Sequence, residues 1–234
     1  MNWLRRLFGK MPTLSQEQSL ALAAYRAQPA PAADTPLSML RFVVVDVETT
    51  GLRPYADRLI SIGAIEVDGC KVRLDSGFEV VFRQSQASAN ANILIHGIDG
   101  TTQLAGLDPA IAMLQFFDYA EQAPLVAFHA GFDRVMIDRA ADAALGCSTS
   151  NQWLDLAYLA PALLQAPDGA PPQSLDDWTE LFGISNQARH NALADALATA
   201  QLLQILLARA TAAGSGTLGD LLGVENGQRW LRQR

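Results

Sequence analysis

Phe42-Val-Val-Val-Asp-Val-Glu-Thr-Thr-Gly-Leu52 decides the fold of this chain. Phe42 through Val45 form an apolar, mostly β-branched run of the kind that makes a buried strand. Thr49-Thr-Gly-Leu52 and Pro54 end it. Side chains two apart on a strand share a face, so Asp46 and Glu48 project together beside a buried run. At surface-like dielectric their repulsion costs on the order of 1–4 kcal/mol. That is a large share of a typical total stability of about 5–15 kcal/mol. A hard divalent cation would offset the cost, because such ions prefer carboxylate oxygens. The other reading of these two residues alone is a solvated strand end with Asp as a turn former.

The elements on either side of this strand define the architecture. Arg58–Asp68 reads as a second strand, and Asp68-Gly69 is a turn signal. Lys71–Gln84 therefore returns antiparallel, completing a three-stranded meander. Farther along, 110–121 is helical, 124–129 is a fourth strand, 133–144 a helix and 152–156 a fifth strand. Two more helices follow at 175–182 and 192–212. Strands followed by alternating helices and strands predict an α/β fold, a mixed five-stranded sheet flanked by helices. On the N-terminal side, Trp3, Leu4, Leu7 and Phe8 stand at helical spacing beside Arg5, Arg6 and Lys10. A helix over 16–26 and a Pro/Ala linker ending at Pro36 follow. The sequence thus divides into a loosely packed, basic amphipathic helical arm with its linker (1–39), a main domain (40–212) and a short tail (213–234).

The chain has 234 residues, half of them apolar and 18% charged, with a net charge of −7. That composition is globular, and no apolar stretch reaches the ~20 residues of a membrane span. Residues 1–40 carry +2 and residues 212–234 carry +1, leaving −10 on the middle. So acidic a middle excludes a surface that grips nucleic acid all over. It fits a core that keeps some carboxylates for cations. Cys70 and Cys147 are too few for a disulfide scaffold or a four-cysteine zinc site. They point to a reducing, cytoplasmic setting, and the N-terminus lacks the apolar run of a secretory signal. The basic arm, residues 1–40, is a candidate surface for a protein partner.

Two further acidic positions stand out. Asp133, in Phe128-His-Ala-Gly-Phe-Asp133, follows an apolar strand at the start of a helix, where Asp also serves as a cap. Arg189-His-Asn-Ala-Leu-Ala-Asp195 opens the long C-terminal helix. Asn191 is its N-cap candidate, which puts Asp195 in the first turns and His190 just outside. Asp155, after an apolar pair, is read as a structural hydrogen-bond acceptor. Trp153, Trp178 and Phe182 are read as core.

Asp46-x-Glu48, then Asp133, then His190-x4-Asp195 resembles the DEDDh family of 3′→5′ exonucleases. The likeness extends to Arg58-Leu-Ile-Ser-Ile-Gly-Ala-Ile-Glu-Val67, Ile95-His-Gly-Ile98, Gly131-Phe-Asp133 and Ser174-Leu-Asp-Asp177. It covers roughly residues 40–210 and is similar to the proofreading epsilon subunit of bacterial DNA polymerase III and its stand-alone relatives. The resemblance implies an RNase H-like fold and two Mg²⁺ or Mn²⁺ ions. It implies Asp46, Glu48, Asp133 and Asp195 as metal ligands and His190 as general base. Asn191 stands where the family's tyrosine branch has Tyr, which places the chain in the histidine branch.

The same resemblance implies release of nucleoside monophosphates from single-stranded DNA or RNA 3′ ends. Thr49, Gly51 and Leu52 would line the terminal nucleotide, with Gly51 allowing close approach. His96 would contact its sugar or base. Phe132 would pack under a ligand or stack on a base. Arg53, Arg134 and Arg189 adjoin the motifs and are candidates for phosphate contacts. Two other functions stay open: a proofreading subunit bound to a polymerase, and a non-catalytic accessory protein. About 22 residues follow the last expected helix, which points away from the polymerase-docking extension of the proofreading subunit.

Overall fold

The computed structural model describes residues 12–164, 172–186 and 188–232. The basic start, residues 1–11, lies outside the described residues. A five-stranded mixed sheet runs in the order β3-β2-β1-β4-β5. Its strands are β1 (Arg41–Thr49), β2 (Leu59–Asp68), β3 (Lys71–Val81), β4 (Leu125–Ala127) and β5 (Trp153–Asp155). β1 to β3 pair antiparallel, and β4 and β5 add in parallel. The hairpin between β2 and β3 turns on Gly69 and Cys70, at φ 52 and 65. Two left-handed residues give the turn whose twist matches the strands.

Pleating divides the core. Val43, Val45 and Val47 enter one apolar cluster, Phe42 and Val44 the other. The first is covered by α1 (Gln16–Ala27), α4 (Pro109–Ala120) and α5 (Gly131–Leu145). The second is covered by α6 (Leu156–Leu163), α7 (Leu175–Leu181), α8 (Ala192–Ala212) and α9 (Leu218–Arg232). Two short helices, α2 (Asn90–His96) and α3 (Gly100–Ala105), follow β3. Helix α8 is long and apolar enough to cross a membrane by length and composition. Its buried residues, Ala196, Leu203 and Leu207 among them, pack into the second cluster, which accounts for its apolar character.

Both ends depart from the sequence reading. The expected loose arm is packed from residue 16 onward. Leu22 and Tyr25 of α1 are buried, and Tyr25 stacks on Phe117 at 4.3 Å between centroids. The Tyr25 hydroxyl donates to Asn151 Oδ1 at 2.5 Å. Ser15 closes a capping box with Gln18, which fixes where α1 begins. The Pro/Ala segment is no free linker either: Leu218 and Gly219 amides donate to Thr35 and Ala33 carbonyls. The expected tail is helix α9, whose Leu218 and Leu221 are fully buried. Gly219, Gly223 and Gly227 lower its intrinsic helix propensity. Burial of its apolar face supplies what propensity lacks.

Candidate active site

Asp46 and Glu48 sit at the end of β1 on the face covered by α8, as the alternation with Val45 and Val47 requires. Asp46 pairs in register with Gly63 of β2. A Cβ at Gly63 would lie 2.2 Å from the Ala192 carbonyl carbon and the Leu193 nitrogen. The first turn of α8 therefore rests on bare backbone, and this close approach brings Asp195 to the strand. Gly63→Val is expected to push α8 off β2, costing on the order of 1–3 kcal/mol through overpacking. It should also remove nuclease activity more completely than it lowers melting temperature, checked by thermal melts beside a degradation assay.

Asn191 caps α8, accepting from the Ala194 amide at 3.0 Å, as its sequence position predicts. The Asp195 carboxylate accepts from the His190 backbone amide at 3.0 Å and from the Asn186 side chain. Carboxylate oxygens of Asp46, Glu48 and Asp195 lie within 4.8 Å of one another. Asp133 belongs to the first turn of α5 and is buried. The helix begins two residues before the expected start, with Ala130 as N-cap, so the Asp133 side chain does not cap it. Asp133 lies outside the tightest group of three, but its charge acts on both Asp46 and Glu48.

The electrostatics are those of crowded, desolvated anions. Burial, then Asp133, Asp195 and Glu48, hold the Asp46 carboxyl well above the usual carboxylate range. Burial, then Asp195 and Asp133, push Glu48 up to about 8. Burial raises Asp133 to about 7 against hydrogen bonds from its own amide and that of Val47. Among the described residues, none of the four carboxylates forms an ion pair with Lys or Arg. Four acids have been gathered, and no ion pair with a cation among the described residues offsets them.

The remaining candidates lie as follows. His190 is exposed, at φ 62, beside the N-cap. Its amide rather than its ring contacts Asp195. The Thr49 hydroxyl donates to the Gly51 carbonyl at 2.7 Å. A Cβ at Gly51 would meet the Asp57 carboxylate at 2.7 Å, so a larger residue there would have to displace that side chain. Leu52 is 87% exposed. Phe132, half-buried, packs on the first apolar cluster next to Asp133. His96 is buried: its Nδ1 accepts from the Ile98 amide at 3.0 Å and its Nε2 lies 3.4 Å from the Ser88 hydroxyl. Arg53, Arg134 and Arg189 each pair with a carboxylate, Asp57, Asp138 and Asp176 respectively. Surface pairs of this kind are weak and exchangeable. Asp155 accepts from the His129 and Ala157 amides, both at 3.0 Å, the structural role its sequence suggests. The sequence reading missed Asn186, Gly63 and Glu79. Glu79 lies beside Gly63 in register, accepts from Asn191 Nδ2 and adds to the repulsion on Glu48. Alternation on β2 and β3 was the only signal for Gly63 and Glu79, and Asn186, between α7 and α8, had none.

A mixed sheet with paired acids on its central strand and further acids from two helix starts defines a class, the RNase H-like exonucleases. The comparisons agree: residues 43–203 match the RNase_T family model, described as exonuclease, and the chain belongs to that family. It is 35% identical over 195 residues to a DNA polymerase III subunit epsilon-like protein of Rhodobacter capsulatus, covering 81% of this chain and 27% of that protein. It is 28% identical to the DNA polymerase III subunit epsilon of Rickettsia conorii, over 71% of this chain and 73% of the relative. Among solved structures, an E. coli exonuclease I–single-stranded DNA complex superposes with TM-score 0.62 at 21% identity, over 73% of this chain and 41% of that one. Exonuclease X bound to 5′-overhanging duplex DNA gives 0.61 at 18%, over 79% and 99%. The chain spans between 11% and 30% of the length of six of the curated relatives it matches.

Proposed function

We propose that this chain is a metal-dependent 3′→5′ exonuclease that releases nucleoside monophosphates from single-stranded nucleic acid ends. The observation that carries the reading is the acid cluster: three carboxylates within 4.8 Å, a fourth whose charge acts on them, and no ion pair to any of the four among the described residues. The donor set is all oxygen and anionic, which fits a hard divalent cation such as Mg²⁺ or Mn²⁺. Asp46, Glu48 and Asp195 would hold one side of that centre and Asp133 the other. When bound, a pair of such cations would neutralise charge on the phosphate and steady the entering and leaving oxygens. His190, tied to Asp195 through its own amide, would accept the proton of the attacking water. Gly51, Leu52 and Thr49 border the acids at the end of β1, where a terminal nucleotide would lie. The acidic middle of the chain suits a few phosphate contacts rather than a long duplex footprint.

The test is a time course on matched 5′-labelled single-stranded DNA and RNA with Mn²⁺, Mg²⁺ or EDTA. The expected result is a ladder shortening from the 3′ end, absent in EDTA. His190→Ala should slow it by about 10²–10⁴-fold. The faster substrate sets the class. A folded, Mn²⁺-binding chain that degrades neither would favour a non-catalytic role. Similarity to an epsilon subunit over most of that protein's length favours a second reading, proofreading beside a polymerase. Co-purification with a polymerase tests it.

A further inference from the structure

Helix α9 lies outside the span matched to the family, yet it reaches the residues behind Asp133. Glu225 and Arg229 stand one turn apart on it. Arg229 Nη2 lies 2.5 Å from Glu225 Oε1 and 3.9 Å from Asp155 Oδ2, with its guanidinium 4.2 Å from the Tyr158 ring centre. The Glu225 carboxylate in turn takes a hydrogen bond from the Asp155 backbone amide. Asp155 is only 3% exposed, and its Oδ1 accepts from the His129 and Ala157 amides. His129 stands at φ 63, a left-handed conformation that costs a non-glycine residue energy and persists only when its surroundings hold it. The His129 carbonyl accepts from the Phe132 amide at 3.0 Å and so opens α5, whose first turn carries Asp133.

We propose that Arg229 is a positioning residue for the Asp133 side of the acid site: by pairing with Asp155 it keeps His129 in its left-handed corner and so sets where Asp133 stands. This rests on the reading of the four acids as a cation site. A buried carboxylate left without its partner is strongly unfavourable. Paired with the guanidinium, Asp155 is a stronger acceptor for the His129 amide. Without Arg229, Asp155 must find other company and the strained corner relaxes. Through-space electrostatics predicts the opposite sign. Deleting a positive charge near an acid cluster, with no movement, would tighten cation binding.

The test is Mn²⁺ titration of the full chain, read by the electron paramagnetic resonance signal of free Mn²⁺. Arg229→Gln is expected to weaken Mn²⁺ binding about tenfold, as loss of a partner behind a ligand does elsewhere. Arg229→Lys, shorter and without the planar fork, should weaken it about threefold. Leu222→Ala, which trims α9 packing but leaves the ion pairs, should lower the melting temperature with Mn²⁺ affinity unchanged. Unchanged or tighter binding in a folded Arg229→Gln overturns the proposal, as does equal weakening in Leu222→Ala. If Arg229→Gln does not fold, Arg229→Lys decides, and wild-type affinity there overturns it. A wild-type chain that binds no Mn²⁺ overturns both this proposal and the cation site beneath it.

Discussion

Asp46→Asn is expected to lower kcat by at least about 10³-fold, since a lost ligand forfeits several kcal/mol of transition-state charge stabilisation. The same substitution should stabilise the cation-free protein. Asp46 stands half-buried among Asp133, Asp195 and Glu48, which together with burial oppose its ionisation. In EDTA, at a pH high enough to ionise Asp46, the wild-type chain bears that repulsion, and a neutral amide of equal shape does not. The relief is on the order of 1–2 kcal/mol, or about 2–8 °C in melting temperature for a chain of this size. A variant inactive and more stable at once is the mark of a site whose charges serve function rather than folding. An Asp46→Asn protein that keeps a tenth of the activity, or melts below wild type in EDTA at high pH, would contradict the assignment.

The second large effect joins pH to cations. Glu48, at about 8, and Asp133, at about 7, both lie above the ordinary carboxylate range. Between about pH 4.5 and 8 the folded chain therefore holds protons that the unfolded chain has released, so stability falls as pH rises through that window. The fall is on the order of several kcal/mol across that window. Mn²⁺ or Mg²⁺ at 100 times its dissociation constant adds about 2.7 kcal/mol if only the folded state binds it. Protons compete for the same oxygens, so the cation's gain grows with pH. Melting curves from pH 5 to 9 in EDTA, Mg²⁺ and Mn²⁺ check both slopes. A melting temperature that climbs with pH in EDTA, or no shift with either ion at any pH, is the adverse outcome.

Much of this architecture was legible in the residues. The apolar run before Asp46, the Asp68-Gly69 turn and the Asn191 cap are local signals, and each element they mark lies within a few residues of its expected bounds. The short helices α2 and α3 and the Pro161-bearing α6 escaped notice because seven, six and eight residues carry little periodicity. The start of α5 was misplaced by two residues because Ala130 caps without a side-chain signal. Helix α9 escaped because three glycines mask a helix that burial sustains.

The pairing of acids followed from alternation along one strand and from helix starts, both short-range geometry that side-chain types report directly. What joins them is long-range. Whether Asp195 reaches Asp46 depends on α8 resting against Gly63. Whether Asp133 stands ready depends on a left-handed His129 held by Asp155, itself paired to an arginine from α9. The packing of Tyr25 against Phe117 likewise turns an apparent arm into part of the core. Such contacts join residues far apart in the chain, with no period or spacing to announce them. Residue chemistry therefore singled out the acids, and tertiary packing decided the distances between them.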